Sequence, residues 1–250
     1  MLDFNHRPNF TERVSELIDQ ALCAEHKALS ERDYLGASRL GENCSRKLQY
    51  QYTNAPKDED FSGRTLRIFA AGHLFEDLAI RWLRLASFAF FTEKSRGGQF
   101  GFSVADGRIH DHVDGIINGA PEALGLTFPM LWECKSLNAK SWKDTVKRSV
   151  VKSKPVYAAQ MATYQTYMEG SVPNISKNPA LFTAINKDTA ELHFELVPFD
   201  ASLAQNFSDR AVTILKATEA DELLPRHTTD HEHFECRVCA YRNRCWEVPA

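Results

Sequence analysis

The sequence lacks the features that would place a chain in a membrane or in a secretory pathway. No stretch approaches the roughly 18 consecutive apolar residues of a transmembrane helix, and the N-terminal segment lacks the charged and then apolar layout of a signal peptide. Internal repeats and low-complexity tracts are also absent. We therefore expect a cytoplasmic protein without membrane association, whose six cysteines are thiols or metal ligands and not disulfides.

Neither sign of charge prevails in the chain. The 30 Lys and Arg residues oppose 33 Asp and Glu residues, which leaves a formal net charge of −3 over 250 residues. This balance excludes a histone-like polycation, but a nucleic-acid partner stays open because local clusters of Lys and Arg decide that question. The apolar share of 43% and the charged share of 25% are typical of an ordinary globular protein.

The order of hydrophobic periodicities predicts an α/β fold. Helical spacing of apolar residues alternates with short runs rich in aromatic and β-branched residues. We predict helices over 11–30, 66–86, 155–168 and 201–223, and strands over 88–92, 99–104, 109–117, 130–135, 181–186 and 192–197. The second helix is apolar around most of its circumference, which predicts that it is buried. The alternation favours a central mixed sheet flanked by helices.

Three acidic residues lie in apolar surroundings. Glu76 lies in the second predicted helix, and Asp114 and Glu133 lie in two successive predicted strands. Lys135 projects from the same face as Glu133, because side chains two residues apart in a strand point the same way. Each residue alone has an ordinary interpretation as a surface ion pair, a solvated charge or a turn. Together they predict a site for Mg²⁺, since a buried carboxylate needs a partner or a metal.

Two further groups have the spacing of a site. Gln160 and Tyr164 lie four residues apart and therefore on one face of the third helix. Near the C-terminus, a C-x2-C-x5-C pattern demands a fourth ligand, and the candidate is Cys44 far upstream. Either an iron–sulfur cluster or zinc suits four thiolates, and nearby histidines can substitute for a thiolate at zinc. The pattern comprises Cys236, Cys239 and Cys245, and the histidines are His227, His231 and His233.

A basic run separates the Glu133 strand from the Gln160 helix. Seven Lys and Arg residues between 135 and 154 are opposed by one acidic residue, Asp144. Trp142 lies within the run. Lysines that contact phosphates beside an aromatic ring that stacks on bases are typical of single-strand binding, whereas the ordinary alternative is a solubilising loop. We expect DNA contacts from Lys140, Trp142, Lys143, Lys147 and Arg148.

The motifs resemble those of the PD-(D/E)XK nuclease superfamily. The series is Gly72-His-Leu-Phe-Glu76, His112-Val-Asp114-Gly, Glu133-Cys-Lys135 and Gln160-Met-Ala-Thr-Tyr164. The likeness is closest to the RecB-like branch, which includes Cas4 and AddB-type iron–sulfur exonucleases, although many RecB-like members carry His at the position of Glu76. The resemblance implies a restriction-endonuclease-like core in which Mg²⁺ or Mn²⁺ is held by Glu76, Asp114, Glu133 and the backbone carbonyl of Cys134. It implies that Lys135 is catalytic and that Gln160 and Tyr164 support the site.

The same resemblance extends to the cysteines and to the organisation of the chain. The segment Ser38-Arg-Leu-Gly-Glu-Asn-Cys44-Ser-Arg-Lys resembles the N-terminal motif of that branch, which implies a [4Fe-4S] cluster on Cys44, Cys236, Cys239 and Cys245. It implies one nuclease domain over 1–250: an N-terminal helical part (1–62), a core (63–224) and a Cys-rich tail (225–250) that closes the cluster site.

The implied function is metal-dependent DNA exonuclease activity on single-stranded DNA or DNA ends. The role would lie in recombination, repair or end processing in a bacterial or phage-infected cell, with a protein partner of recombination or CRISPR type. The alternatives are an endonuclease or end-trimming subunit of the same superfamily, and a DNA-binding adaptor with a zinc-stapled tail and no catalysis. Strand polarity and oligomeric state stay open.

Overall fold

The computed structural model describes residues 7–93 and 98–248. The first and last residues of the predicted 1–250 domain lie outside these ranges. The helices are α1 (Phe10–Lys27), α2 (Ser45–Tyr52), α3 (Gly63–Leu85), α4 (Ala139–Arg148), α5 (Val150–Ser153), α6 (Pro155–Met168), α7 (Ala201–Glu219), α8 (Phe234–Arg237) and α9 (Arg242–Glu247). The strands are β1 (Leu35–Gly36), β2 (Ala89–Phe91), β3 (Gly101–Val104), β4 (Ile109–His112), β5 (Gly115–Gly119), β6 (Met130–Leu137), β7 (Ala180–Asn186) and β8 (Leu192–Val197).

A five-stranded mixed sheet forms the centre of the fold. Its order is β2-β5-β6-β7-β8, in which β6 and β7 run parallel and the other neighbours run antiparallel. A smaller sheet has the order β1-β4-β3. Alternate residues of β6 enter two apolar cores: Leu131 packs with the helices α6 and α7, whereas Trp132 packs with α3. The predicted mixed sheet flanked by helices is confirmed.

The sequence places the helix ends through local capping. Asn9 accepts a hydrogen bond from the backbone N–H of Glu12 at 3.0 Å, and the Glu12 carboxylate accepts one from the N–H of Asn9 at 2.7 Å, which fixes the start of α1. Asp200 caps α7 through the N–H of Leu203 at 2.8 Å. Pro155 opens α6, where its missing N–H costs nothing.

Two sequence predictions about the fold are wrong. The helix expected over 66–86 forms as α3, but it is not buried all round. One face packs on the sheet through Ala79 and Leu83, whereas Ile68, Phe69 and Leu74 on the other side are 48%, 47% and 64% exposed.

Among the described residues, no helix combines the length and the apolarity needed to cross a membrane.

The single strand expected over 109–117 is two strands in two sheets. The chain bends at Val113 and Asp114, so that β4 joins the small sheet and β5 joins the large one. Gly115 follows the bend and lets the ring of Phe90 on β2 pack against the start of β5, because a Cβ at that position would lie 2.4 Å from this ring. The bend places Asp114 at the boundary between the two sheets, beside β6.

Candidate functional site

Asp114 and Glu133 meet because of the register between β5 and β6. Gly115 is paired with Trp132 across this antiparallel ladder, so the preceding Asp114 lies next to Glu133. The Oδ2 atom of Asp114 accepts a hydrogen bond from the backbone N–H of Cys134 at 2.8 Å. The backbone thereby fixes one oxygen of this carboxylate beside β6.

Glu133 is the most deeply buried charged group of the site. Its side chain is 0% exposed, and it forms an ion pair with Lys135, which projects from the same face of β6. Beyond this ion pair, no described residue donates a hydrogen bond to either carboxylate oxygen. The Lys135 ammonium also lies 5.3 Å from the centroid of the Tyr157 ring on α6. The sheet therefore holds a buried carboxylate with spare acceptor capacity beside a fixed ammonium.

Glu76 adds a third carboxylate to the group from α3. Its side chain on α3 is 25% exposed, and its Oε2 lies 3.9 Å from Nδ1 of the exposed His73. Burial raises the pKa of Glu76 to about 7, and the Asp114 carboxylate adds to this increase, while the Lys135 ammonium opposes it. The Asp114 carboxylate is therefore close enough to Glu76 to influence its ionisation.

Burial and neighbouring charges also shift the pKa values of Glu133, Asp114 and Lys135. Burial, with the Asp114 carboxylate beside it, raises the pKa of Glu133 to about 8 although Lys135 opposes the change. Burial also raises the pKa of Asp114. Burial alone lowers the pKa of Lys135, but the Glu133 and Asp114 carboxylates outweigh burial and hold that pKa above its ordinary value. Three crowded carboxylates thus share one ammonium.

The donor set fits a hard divalent cation. Three carboxylates supply oxygen ligands of the kind that Mg²⁺ and Mn²⁺ take, and the unsatisfied oxygens of Glu133 would gain partners from such an ion. A positive charge at this point would also favour the ionised carboxylates against the burial and the repulsion that raise their pKa values. The residues present are therefore suited to hold one of these ions.

Gln160 and Tyr164 lie on the buried face of α6, with 6% and 1% of their surface exposed. The Tyr164 ring packs edge-on against Phe102 at a centroid distance of 5.4 Å. Burial holds the pKa of Tyr164 well above its ordinary value, and the carboxylate of Asp111, which is hydrogen-bonded to the Tyr164 hydroxyl, adds to the increase. The Tyr164 hydroxyl is therefore linked to the carboxylate cluster through its hydrogen bond with Asp111.

Asp111 is a member of this group that sequence reasoning missed. Its Oδ2 accepts a hydrogen bond from the backbone N–H of Ser38 at 2.7 Å, and its Oδ1 accepts one from the N–H of His112 at 3.0 Å. Its charge also acts on Asp114 and Glu133. The one available signal was its position three residues before Asp114.

Four cysteines that are far apart in the sequence line one cavity. The cavity has a volume of about 170 Å³ and is lined by Cys44, Cys236, Cys239 and Cys245, together with Lys47 and Tyr50. Burial raises the pKa of the Cys236 and Cys239 thiols, and the neighbouring Cys44 and Cys245 sulfurs contribute to the increase. The fold thus brings together the four residues that the C-x2-C-x5-C pattern and its upstream partner predicted. Cys23 and Cys134 lie elsewhere.

Two arginine side chains and the loop that carries Asp58 bind the segment of the tail around this cavity. The buried guanidinium of Arg46 lies 3.4 Å from the carbonyl oxygen of Cys245 and 3.9 Å from its sulfur. Arg226 donates to the same carbonyl at 2.8 Å. Asp58, in the loop before α3, accepts a hydrogen bond from the N–H of Asn243 at 2.7 Å, and its own N–H bonds the carbonyl of Ala240. The tail is therefore attached to the N-terminal part on two sides.

The basic run forms α4 and α5 and not a loop. Lys140, Lys143 and Lys147 are exposed at helical spacing, and we name these three residues the basic stripe. Arg148 is exposed as well, but it pairs with Asp144 at 3.4 Å. Trp142 packs against the core and donates its indole N–H to the carbonyl of Ala184 at 3.1 Å. The structure therefore does not support the expectation that Trp142 offers a free face to a base.

Of the comparisons with known proteins, the one with solved structures found similar folds. No family model and no curated protein matches the chain. Similar solved structures include the protein SSO0001, with a TM-score of 0.50, 15% identity and coverage of 97% of this chain and 100% of that one. Another is the alkaline exonuclease LHK-Exo from Laribacter hongkongensis, with a TM-score of 0.50, 17% identity and coverage of 82% and 93%. A complex of LHK-Exo with dAMP has the same score and identity over 75% and 89%. The chain therefore shares the fold of these structures.

The protonation of Glu76 and Glu133 makes the stability of the folded protein depend on pH. The folded pKa values of Glu76 and Glu133, about 7 and about 8, lie above their ordinary value of 4.5, so in this range the folded protein binds more protons than the unfolded chain. We expect the metal-free protein to lose stability as the pH rises from 4.5 through about 7 to about 8. Thermal denaturation in EDTA at stepwise pH measures this slope.

The substitution Glu76→Gln isolates the contribution of the Glu76 carboxyl to the change of stability with pH. It removes one titrating carboxyl and should make the slope shallower than in the wild type. Glu122→Gln is the matched control, because Glu122 is exposed in a surface turn away from the cluster. Equal slopes in Glu76→Gln and the wild type would contradict the prediction.

Proposed function

We propose that the protein is a metal-dependent DNA exonuclease of the RecB-like branch of the PD-(D/E)XK nucleases. The observation that carries the proposal is the convergence of Glu76, Asp114, Glu133 and Lys135 where α3, β5 and β6 meet. An alkaline exonuclease and its dAMP complex among the structures of the same fold support a nucleic-acid substrate. The proposed setting is DNA recombination, repair or end processing in the cytoplasm.

The carboxylates have the role of ligands in this proposal. Glu76, Asp114, Glu133 and the backbone carbonyl of Cys134 would hold Mg²⁺ or Mn²⁺. When bound, such an ion activates a water molecule and neutralises charge on a phosphodiester. The N–H of Cys134 holds one oxygen of Asp114 in place, so the carboxylate needs no reorientation when DNA arrives.

Lys135 supplies the catalytic charge. Its ammonium stays protonated at neutral pH because the flanking carboxylates of Glu133 and Asp114 hold its pKa above the ordinary value. Placed beside the attacked phosphate, it would orient the water and stabilise the developing negative charge. Gln160 and Tyr164 would brace the site from α6, and Asp111 would fix the Tyr164 hydroxyl.

The test of this proposal is a degradation assay on end-labelled linear and circular single-stranded DNA with Mn²⁺. We expect loss of the linear DNA alone, and the label then gives the polarity. Glu133→Gln should abolish cleavage because it removes a ligand. Lys135→Ala should lower the rate by about 100-fold or more, with DNA binding retained.

The other outcomes decide between the alternatives. Cleavage of circles would favour an endonuclease of the same superfamily. A folded, metal-replete protein that cuts neither substrate would favour a DNA-binding adaptor or a missing partner subunit of recombination or CRISPR type. Glu122→Gln, which leaves the cluster intact, is the matched control and should retain full activity.

The basic stripe is proposed as the contact for the DNA backbone. It follows β6 directly, so Lys140 lies five residues beyond the catalytic Lys135, and its members are exposed. Arg148 is a further proposed contact at the end of the same helix. Phosphate binding by lysines requires no base specificity, which suits an enzyme that degrades any sequence.

Removal of the stripe should weaken DNA binding in a salt-dependent manner. Lys143→Ala with Lys147→Ala should reduce the slope of log affinity against log salt by about 0.7 per lysine on single-stranded DNA. Lys216→Ala is the matched control, since Lys216 is exposed on α7 outside the run. An unchanged salt slope in the double variant would remove the stripe from the DNA path.

The cysteine cavity is proposed to hold a structural [4Fe-4S] cluster on Cys44, Cys236, Cys239 and Cys245. Thiolates on one zinc ion lie about 3.8 Å apart, given Zn–S bonds of about 2.3 Å. Among the described residues, no three of the cysteine sulfurs lie within 4.8 Å of one another. A cluster separates its ligands more widely because each thiolate binds a different iron. The guanidinium of Arg46 would offset the negative charge of the thiolates.

The cofactor is tested with protein purified without oxygen. We expect a brown protein with visible absorbance and equal amounts of iron and sulfide, and loss of both in Cys239→Ser with a lower Tm. Cys23→Ser is the matched control, because Cys23 lies on α1 outside the cavity, and it should keep the colour. A colourless wild-type protein loaded with zinc would establish the zinc alternative.

A further inference from the structure

A second group of side chains of metal-ligating types lies in the tail, separate from the carboxylates around Glu133 and at the edge of the cysteine cavity, whose lining includes His227 and Glu235. His227, His233 and Glu235 each bring one ligand atom into a group in which all atoms lie within 4.8 Å of one another. Among the residues that the structure describes, it is the one set of three or more His, Cys, Asp and Glu side chains that converges this closely. Neither the proposed nuclease reaction nor the cysteine cluster uses these residues as ligands.

The distances suit a small divalent ion. Nε2 of His227 lies 3.3 Å from Oε2 of Glu235, and two ligands of a tetrahedral zinc ion are separated by about 3.4 Å. The rings of His227 and His233 have centroids 5.3 Å apart and planes inclined by 72°, so they face each other edge-on and do not stack. Both imidazoles can therefore direct a nitrogen to the same ion.

Glu235 is oriented by a residue from the N-terminal part of the chain. Its Oε1 accepts a hydrogen bond from Nδ2 of Asn43 at 2.6 Å, which leaves Oε2 toward His227. Ligating carboxylates in metal sites are commonly fixed by such an outer hydrogen bond. The Nδ1 atom of His233 accepts only a long bond from the N–H of Glu235, at 3.4 Å. A contact of that length is weak and exchangeable for a bond to a metal.

We propose that His227, His233 and Glu235 bind one divalent transition-metal ion, with Zn²⁺ as the representative, and leave a fourth position for water. Two imidazoles and one carboxylate favour Zn²⁺, Co²⁺ or Ni²⁺ over Mg²⁺. Asn43 precedes Cys44 and Glu235 precedes Cys236, so the hydrogen bond from Asn43 to the ligand Glu235 joins the same two segments as the cysteine cavity. The site is therefore a second link between the N-terminal part and the tail.

Co²⁺ is the probe that tests the proposal. The full-length protein is titrated with Co²⁺ in excess Mg²⁺, which saturates the carboxylates, and the visible spectrum is recorded. We expect one equivalent to bind, with d–d bands and without a thiolate-to-cobalt charge-transfer band. The affinity should fall by about tenfold or more in His227→Ala and in His233→Ala. His231→Ala should bind as the wild type does, because His231 lies in the same tail but pairs with Glu232 and Arg242.

Several outcomes would overturn the proposal. Bands that persist in both histidine variants, binding that produces the thiolate band alone, or an equal loss in His231→Ala would each place the cobalt elsewhere. A second measurement is the shift of Tm with Zn²⁺, which should occur in the wild type and in His231→Ala but not in His227→Ala. If an alanine variant fails to fold, Glu235→Gln keeps an acceptor for Asn43, removes the charged ligand and should also lose the Co²⁺ bands. The readout is metal binding, so a failure of the nuclease proposal leaves this test intact.

Discussion

A carboxylate in the middle of a sheet is costly unless an opposite charge accompanies it, and Glu133 imposes that requirement on this fold. The strand β6 is covered on both faces, and the Glu133 side chain has no access to solvent. Lys135 supplies one positive charge from the same face, but Asp114 and Glu76 add two further negative charges. If all four groups are ionised, two negative charges stay uncompensated. Burial, together with this excess of negative charge, raises the carboxyl pKa values and favours retained protons, whereas a divalent cation would compensate the charge without them.

The N-terminal segment connects the carboxylate cluster with the cysteine cavity. The backbone N–H of Ser38 binds Asp111, which in turn binds the Tyr164 hydroxyl. A few residues later, Cys44 enters the cavity and Arg46 contacts Cys245. The buried side chain of Gln49 continues the link, because it bonds the carbonyl of Glu222 and the N–H of Leu224 at 2.6 and 2.9 Å. The two sites therefore share one short segment, and its position depends on contacts at both.

The parts of the structure that local physics controls were predictable from the sequence. The period of two placed Glu133 and Lys135 on one face, and Pro155 marked the start of α6. The contribution of Asp111 was not predictable, since a polar Ile-His-Asp-His run resembles a surface strand and its partner Ser38 lies 73 residues away. The exposure of α3 also escaped prediction. An apolar circumference indicates burial only if neighbours cover every side, and the sheet covers one.

The ligand types separate the three proposed metal sites by chemistry. Carboxylates around Glu133 present hard oxygen donors, which suit Mg²⁺ or Mn²⁺, and the thiolates around Cys239 present soft sulfur donors, which suit iron–sulfur clusters. His227, His233 and Glu235 lie between these extremes. Transition metals bind most nitrogen and sulfur sites more tightly than Mg²⁺ does, so affinity alone would not keep the ions apart. In the part of the chain that the structure describes, the ligand atoms of His227, His233 and Glu235 are the one set of three that already lies within 4.8 Å. A chain with all three sites would therefore sort its metals first by ligand type, and the preformed histidine and glutamate site would need the least rearrangement to bind its ion.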